Sequence, residues 1–186
     1  MVTRQPFVFV IAGPNGAGKS TVVTRYLPRL GNPPFLNADV VAAELSPGNP
    51  DAVLMEAGRR VLQAIDDCLN ARQSFALETT LSGKTYHRML RRARRLGYEV
   101  IMRFVWVRDA DQSVRRVAER VRSGGHNVPE DAIRRRHAAA LENFWKLYLP
   151  LVHDWVFFDN SEGNYVVVAE GISDATSEEQ FQSFLA

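Results

Sequence analysis

A six-residue apolar run, Phe7-Val-Phe-Val-Ile-Ala12, leads without interruption into Gly13-Pro-Asn-Gly-Ala-Gly-Lys-Ser20. A continuous stretch of β-branched and aromatic residues is what a strand buried on both faces requires. The octet after it matches G-x-x-x-x-G-K-[ST] in full. With glycine near 7% of residues, a chance match in a chain of this length has odds of roughly one in a hundred. Strand, glycine loop and helix in that order confine the chain to an α/β architecture with this strand inside a parallel sheet. The loop's chemistry follows from its residue types. Glycines let the backbone wrap closely, so that successive N–H groups converge on phosphate oxygens. The partial positive charge of a helix N-terminus adds to them. Gly13, Pro14, Asn15, Gly16, Ala17 and Gly18 then form the cradle of a nucleoside triphosphate. Lys19 reaches its β- and γ-phosphates, and the Ser20 hydroxyl is the Mg²⁺ ligand. Thr21 stands where it can hydrogen-bond the α-phosphate.

The remaining pattern predicts helix over 19–30, stopped by Gly31-Asn-Pro-Pro34, and a short strand at Phe35-Leu36 running into Asn37-Ala38-Asp39. Asn49 and Pro50 read as a cap and first-turn proline. Behind them Leu54, Ala57, Val61, Leu62, Ile65, Cys68 and Leu69 recur at helical spacing. Strands are expected at 74–78, 98–107, 155–158 and 165–169, with helices over 82–96, 111–122 and 130–148 and a last short helix at the end. Strands alternating with helices imply βαβ units: a mostly parallel sheet with helices on both faces. Ligands in such folds lie beyond the carboxyl ends of the strands. That places the glycine loop, Asp39 and Glu78 together.

Composition narrows the function classes. The 186 residues are 46% hydrophobic and 24% charged, the balance of a soluble globular chain and not of a disordered one. One cysteine, Cys68, excludes a disulfide framework and a Cys-based zinc site. The longest apolar run is far short of the roughly 20 residues that span a bilayer, and no secretory cleavage site follows it. The expectation is one cytoplasmic domain over 1–186, without membrane contact. The formal net charge is only +2, too small to argue for nucleic acid. Its placement is uneven: residues 84–136 hold 15 basic and 6 acidic side chains, and the rest of the chain holds 8 and 15. Such a segment serves either a local anionic ligand or the solvated faces of amphipathic helices.

A kinase acting on a hydroxyl needs a carboxylate beside that oxygen, a contribution of about 10²–10⁴-fold. Asp39 is the candidate, and it also has the place of a helix cap before Val40. Glu78 ends the third strand and is expected on the substrate or metal side, with Thr79 and Thr80 assisting. Asp109 reads as a cap. Arg120, Arg122, Arg134, Arg135 and Arg136 bracket Gly124-Gly125-His126, the plan of a helical arginine lid over about 115–140. Arg120 and Arg136 are the expected inward pair, with Arg122 and Arg135 in reserve. Arginine forks suit the spreading charge of a transferred phosphoryl group. The GTPase sequence N-K-x-D is absent, and no second domain accompanies the loop as in a motor or AAA-type machine. A small kinase is the reading that remains.

Gly13-Pro-Asn-Gly-Ala-Gly-Lys-Ser-Thr21, Asn37-Ala-Asp39, Glu78-Thr-Thr80, Gly124-Gly-His-Asn-Val-Pro129 and Asp159-Asn-Ser161 come in the order seen in zeta-toxin-like P-loop kinases, which this chain resembles over about residues 5 to 170. The resemblance implies a P-loop NTPase three-layer sandwich. It implies ATP and Mg²⁺ as cofactors and transfer to a substrate hydroxyl, in the founding toxins the 3′-hydroxyl of UDP-N-acetylglucosamine. It makes Asp39 the base and Glu78 the substrate-side acid. Arg120 and Arg136 become the lid arginines, Asn160 falls in an adenine-contacting loop, and an antitoxin protein is the expected partner. The chain is shorter than the founding toxins, and its Gly-Gly-His lid marks a compact branch. The acceptor therefore stays open among a sugar nucleotide, a nucleoside, an antibiotic and a polynucleotide 5′ end. A nucleotide-dependent switch without transfer is the reading from another class.

Overall fold

The computed structural model describes residues 5–172, so the short helix expected at the end of the chain lies outside the described residues. Strand β1 (Phe7–Ala12) is followed by α1 (Lys19–Tyr26), β2 (Phe35–Leu36), α2 (Ala38–Leu45) and α3 (Leu54–Asn70). Then come β3 (Phe75–Thr79), α4 (Thr85–Arg95), β4 (Glu99–Trp106), α5 (Ala110–Arg122) and α6 (Glu130–Asn143). Strands β5 (Asp154–Asp159) and β6 (Val166–Ile172) complete a six-stranded sheet in the order β2-β3-β1-β4-β5-β6. Every pairing is parallel except that of β5 with β6. The expected mostly parallel sheet between helical layers is what forms.

β1 lies at the centre, with Val10 opposite Leu77 of β3 and Met102 of β4. Its side chains alternate between two cores. Val8, Val10 and Ala12 meet Phe75, Leu77, Phe104 and Phe157 with helices α3, α4 and α6 on one face. Phe9 and Ile11 meet Ala76, Val105, Ala17 and Val22 on the other, which α1 and the turn after it cover. On that thinner face Arg103 forks onto Asp154 at 3.0 and 3.1 Å and lies over the rings of Phe9 and Tyr26. A third, small core of Val117, Val128, Ala132 and Ile133 joins α5, the loop between α5 and α6, and α6. The arginine-rich helix pair thus carries its own apolar seam.

Several boundaries differ from the sequence expectation, each for a local reason. The helix predicted over 19–30 ends at Tyr26, and Pro28–Leu30 forms a separate 3₁₀ turn, because a proline ring opposes continuation of the helix. Pro50 opens a 3₁₀ turn, Pro50–Val53, ahead of α3, and Asn49 makes no side-chain cap. The last helix stops at Asn143. Phe144–Tyr148 then winds wider as a π turn that buries Phe144, Trp145 and Tyr148. The cap of α2 is Asn37, whose Oδ1 accepts from the amides of Asp39 and Val40, and not Asp39. A side chain one residue before the helix reaches the free N–H groups of its first turn better than one inside it. The consequence is functional: the Asp39 carboxylate is free of capping duty. Asp109 does cap α5, accepting from the Asp111 amide at 2.8 Å.

Candidate active site

The carboxyl ends of β1, β2 and β3 bring the glycine loop, Asn37-Ala38-Asp39 and Glu78 to one edge of the sheet. The loop's backbone is fixed by close packing. A Cβ on Gly13 would stand 2.0 Å from the Val105 carbonyl, at φ +137°. One on Gly18 would stand 2.5 Å from both Asn160 Nδ2 and the Tyr165 hydroxyl, at φ +99°. These two side chains fasten the loop from below. Asn160 donates to the Ala17 carbonyl and Tyr165 to the Gly18 carbonyl, each at 2.8 Å. Asn160 is only 4% exposed. Its side-chain amide is therefore engaged beneath the loop, in the segment where the resemblance implies adenine contact.

Lys19 opens α1 and folds back over the loop, donating to the Pro14 carbonyl at 3.0 Å and lying 3.8 Å from Glu78. Burial holds its ammonium below the usual lysine range, against the opposing pull of Glu78 and Asp39; Arg120 and Arg136 push the same way as burial. All five groups therefore act in one electrostatic neighbourhood. They line a cavity of about 240 Å³ with Asn15, Thr79, Thr80 and Tyr86. Ser20 and Thr21 are exposed in the first turn of α1, beside the loop.

The arginines divide cleanly. Arg120 donates to the His126 carbonyl at 2.8 Å, and Arg136 reaches Asn15 Oδ1 at 3.3 Å; both line the cavity. Arg134 and Arg135 are exposed and paired with acids, Arg134 with Asp111 across on α5 and with Glu130 of its own helix, and Arg135 with Asp131. Arg122 is exposed and lines no part of the cavity. Thr79 and Thr80 sit in its wall, but their hydroxyls are engaged with the Leu81 amide and with Ser82.

The sequence reading passed over Tyr86. Burial raises its phenol, and the charge of Asp39 adds to the effect, so it stands close to the expected base. Its spacing with Met89, Leu90 and Ala93 resembles that of a core residue, and nothing local marks it otherwise. Asn37 was legible only as part of the strand end. The free amides that follow it are the signal for a cap.

A family profile described as an AAA domain matches residues 8–146. The chain belongs to this AAA domain family. The matched region is the strand–loop–helix core together with the helices up to Trp145 and Lys146. The fold of this AAA domain chain is the α/β P-loop NTPase fold. An uncharacterised protein of Haemophilus influenzae is 28% identical over 125 residues, covering 67% of this chain and 88% of that one. Among solved structures, one of the PezAT chromosomal toxin–antitoxin system of Streptococcus pneumoniae superposes with a TM-score of 0.69 at 17% identity, over 98% of this chain and 79% of that chain. A chain of the AvrRxo1-ORF1:ORF2 structure with ATP gives 0.73 at 17% identity; the AAA domain chain aligns over 96% of its own length and spans 63% of that chain. A protein of Chloroflexus aurantiacus, provisionally named a kinase, gives 0.65 at 15% identity over 98% of each chain. At these identities the likeness is one of fold. Among the described residues no helix is long and apolar enough to cross a membrane.

Proposed function

We propose that the protein is an ATP- and Mg²⁺-dependent kinase that transfers the γ-phosphoryl group to the hydroxyl of a small molecule. One observation carries the reading: Lys19, Arg120 and Arg136 line the same cavity as Asp39, the carboxylate that Asn37 relieves of capping. Cations there suit a phosphoryl group, and a free carboxylate suits the alcohol that attacks it.

The donor set fits the nucleotide and its metal. Glycine-loop amides and the start of α1 receive phosphate oxygens, and Lys19 can leave the Pro14 carbonyl for them. The exposed Ser20 hydroxyl, engaged by no side chain among the described residues, is the group that would hold Mg²⁺, with Glu78 at hand across Lys19. Bound Mg²⁺ neutralises part of the triphosphate charge. Asp39 orients the acceptor hydroxyl and takes its proton as the oxygen attacks phosphorus. Arg120 and Arg136 hold the charge that spreads over the moving group, and Asn15 keeps Arg136 aimed at the loop.

The resemblance to zeta-toxin kinases makes the 3′-hydroxyl of UDP-N-acetylglucosamine the first acceptor to assay. The fold likeness to chains of the PezAT and AvrRxo1 structures supports a search for a protein partner of the antitoxin kind. The test is product mass spectrometry after incubation with ATP, Mg²⁺ and candidate acceptors. Lys19→Ala should lose nucleotide binding. Asp39→Ala should keep ATP binding and lose transfer by about 10²–10⁴-fold. Unchanged transfer in Asp39→Ala removes it from the base role. ATP binding with no transfer to any acceptor favours the nucleotide switch.

A further inference from the structure

A tightly held turn between β3 and α4 brings Tyr86 into the cavity that Asp39 lines. The turn passes through Leu81, which is 1% exposed and stands at φ +59°. A leucine in that region is strained, and such a conformation persists only where its surroundings fix it. The Leu81 amide donates to Thr79 Oγ1 at 3.0 Å, and its carbonyl accepts from Asn143 at 2.8 Å. The Gly83 carbonyl accepts from the Tyr148 hydroxyl at 2.6 Å. Tyr86, in the first turn of α4, therefore starts from a fixed backbone. Its ring packs against the larger core, as does Ala38, the residue before Asp39.

The other hydroxyls of the cavity wall are engaged. Thr79 Oγ1 accepts from Leu81, and Thr80 and Ser82 share a hydrogen bond at 2.9 Å. The Tyr86 hydroxyl has no hydrogen-bond partner among the described residues. Tyr98, Tyr148 and Tyr165 differ in this, since each gives its hydroxyl hydrogen to a backbone carbonyl. Burial and the charge of Asp39 both raise the Tyr86 phenol, so at neutral pH it is a donor and not a phenolate. The wall thus holds one rigidly placed donor that no protein group uses.

We propose that Tyr86 is an acceptor-contacting residue, its phenol donating a hydrogen bond to a second oxygen of the molecule whose hydroxyl Asp39 activates. The proposal rests on the kinase reading above and adds a feature of the substrate to it. In the transfer, the attacking oxygen gives its proton to Asp39 and bonds to the γ-phosphorus, as ADP leaves with the electron pair of the β–γ bridge. A donor on the attacking oxygen would draw on the electrons that form the new bond. The productive partner of Tyr86 is therefore a neighbouring hydroxyl, ether or carbonyl oxygen. The acceptor carries at least two oxygens close together, and a simple monohydric alcohol is a poor substitute. It has room beyond Asp39, which with Arg136 also lines a second cavity of about 290 Å³; Asp51 and His126, 3.4 Å apart, help to line that one.

The experiment compares wild type and Tyr86→Phe with ATP, Mg²⁺ and UDP-N-acetylglucosamine, D-glucose or adenosine as acceptor, with 1-propanol as the monohydric control. Phenylalanine keeps the ring that packs against the core, so the variant tests the hydroxyl alone. Loss of one neutral hydrogen bond corresponds to roughly three- to tenfold in affinity. For an acceptor that is turned over, Tyr86→Phe should raise its KM by that factor and leave kcat, the KM for ATP and the Tm unchanged. An unchanged acceptor KM overturns the proposal, as does a rise shared by ATP, or 1-propanol turned over as well as the other acceptors. If no acceptor is phosphorylated, the kinase reading fails, and the contact is judged by calorimetry of the same compounds with a non-hydrolysable ATP analogue present. Binding weakened by the same factor in Tyr86→Phe then sustains the contact. Equal affinity in the two proteins, or no binding, overturns it.

Discussion

Replacing Asn160 with alanine separates two roles for this residue, one beneath the phosphate loop and one against a nucleotide base. In the structure its Nδ2 donates to the Ala17 carbonyl at 2.8 Å, and Ala17 is wholly buried. Asn160→Ala removes that donor and leaves the carbonyl without it in a dry site, a cost of about 1–3 kcal/mol. The other side-chain atom adds nothing to the loss, because Asn160 Oδ1 is buried with no hydrogen-bond partner among the described residues. A destabilisation near 2 kcal/mol lowers the Tm of a domain this size by about 4–8 °C. The freed loop then samples conformers that cannot hold phosphate, and the apparent Kd rises in proportion to the competent fraction lost. The expected result is a lower Tm without nucleotide, together with a Kd for ATP raised roughly three- to tenfold. Differential scanning fluorimetry and isothermal titration calorimetry read the two quantities. A weakened Kd with an unchanged Tm would refute the reasoning and return Asn160 to a base contact. Tyr165→Phe, which removes the hydroxyl alone, should move both quantities the same way by about half as much.

Arg120→Ala and Arg136→Ala should each slow transfer by about 10³-fold or more, while Arg135→Ala, on the outer surface, stays within about twofold of the wild type; steady-state kinetics with any active acceptor decides. The imidazole of His153 accepts the Val100 amide on Nδ1 at 2.9 Å, which requires that nitrogen to be unprotonated. Burial, with Arg94 adding to it, holds the group below its ordinary value of 6.5. A base with a lowered folded-state pKa leaves stability whole above the unfolded value and erodes it as pH falls towards the folded one. The urea midpoint should therefore drop as pH falls below about 6.5, and His153→Gln should flatten that slope; equal slopes in both proteins would exclude His153 as a source.

The glycine loop was legible because its chemistry is local: eight consecutive residues specify the turn, the helix start and the lysine. Arg120 and Arg136, the expected pair, both line the cavity, but spacing alone leaves Arg122 and Arg135 in reserve, because the orientation of each arginine depends on how α5 and α6 pack. What depended on packing was not legible. Asp39 looks like a cap until Asn37 is seen taking the amides. Tyr86 has the spacing of a core residue and stands in the cavity wall. The resemblance makes Asn160 part of an adenine-contacting loop, and its hydrogen bond to Ala17, 143 positions away in sequence, shows only in the folded chain. Asp51 carries no motif, and its meeting with His126 of the Gly-Gly-His lid depends on how α3 and that loop are placed.

The thinner side of the sheet has a consequence of its own. Phe9, Ile11 and Val105 are shielded there by the same helix whose first residues are proposed to hold the triphosphate. Filling the nucleotide cradle should therefore act as a latch on the smaller of the two cores that flank the sheet. Amide protons of β1 and β4 would then exchange more slowly in nucleotide-loaded protein than in empty protein, at positions that never meet the ligand.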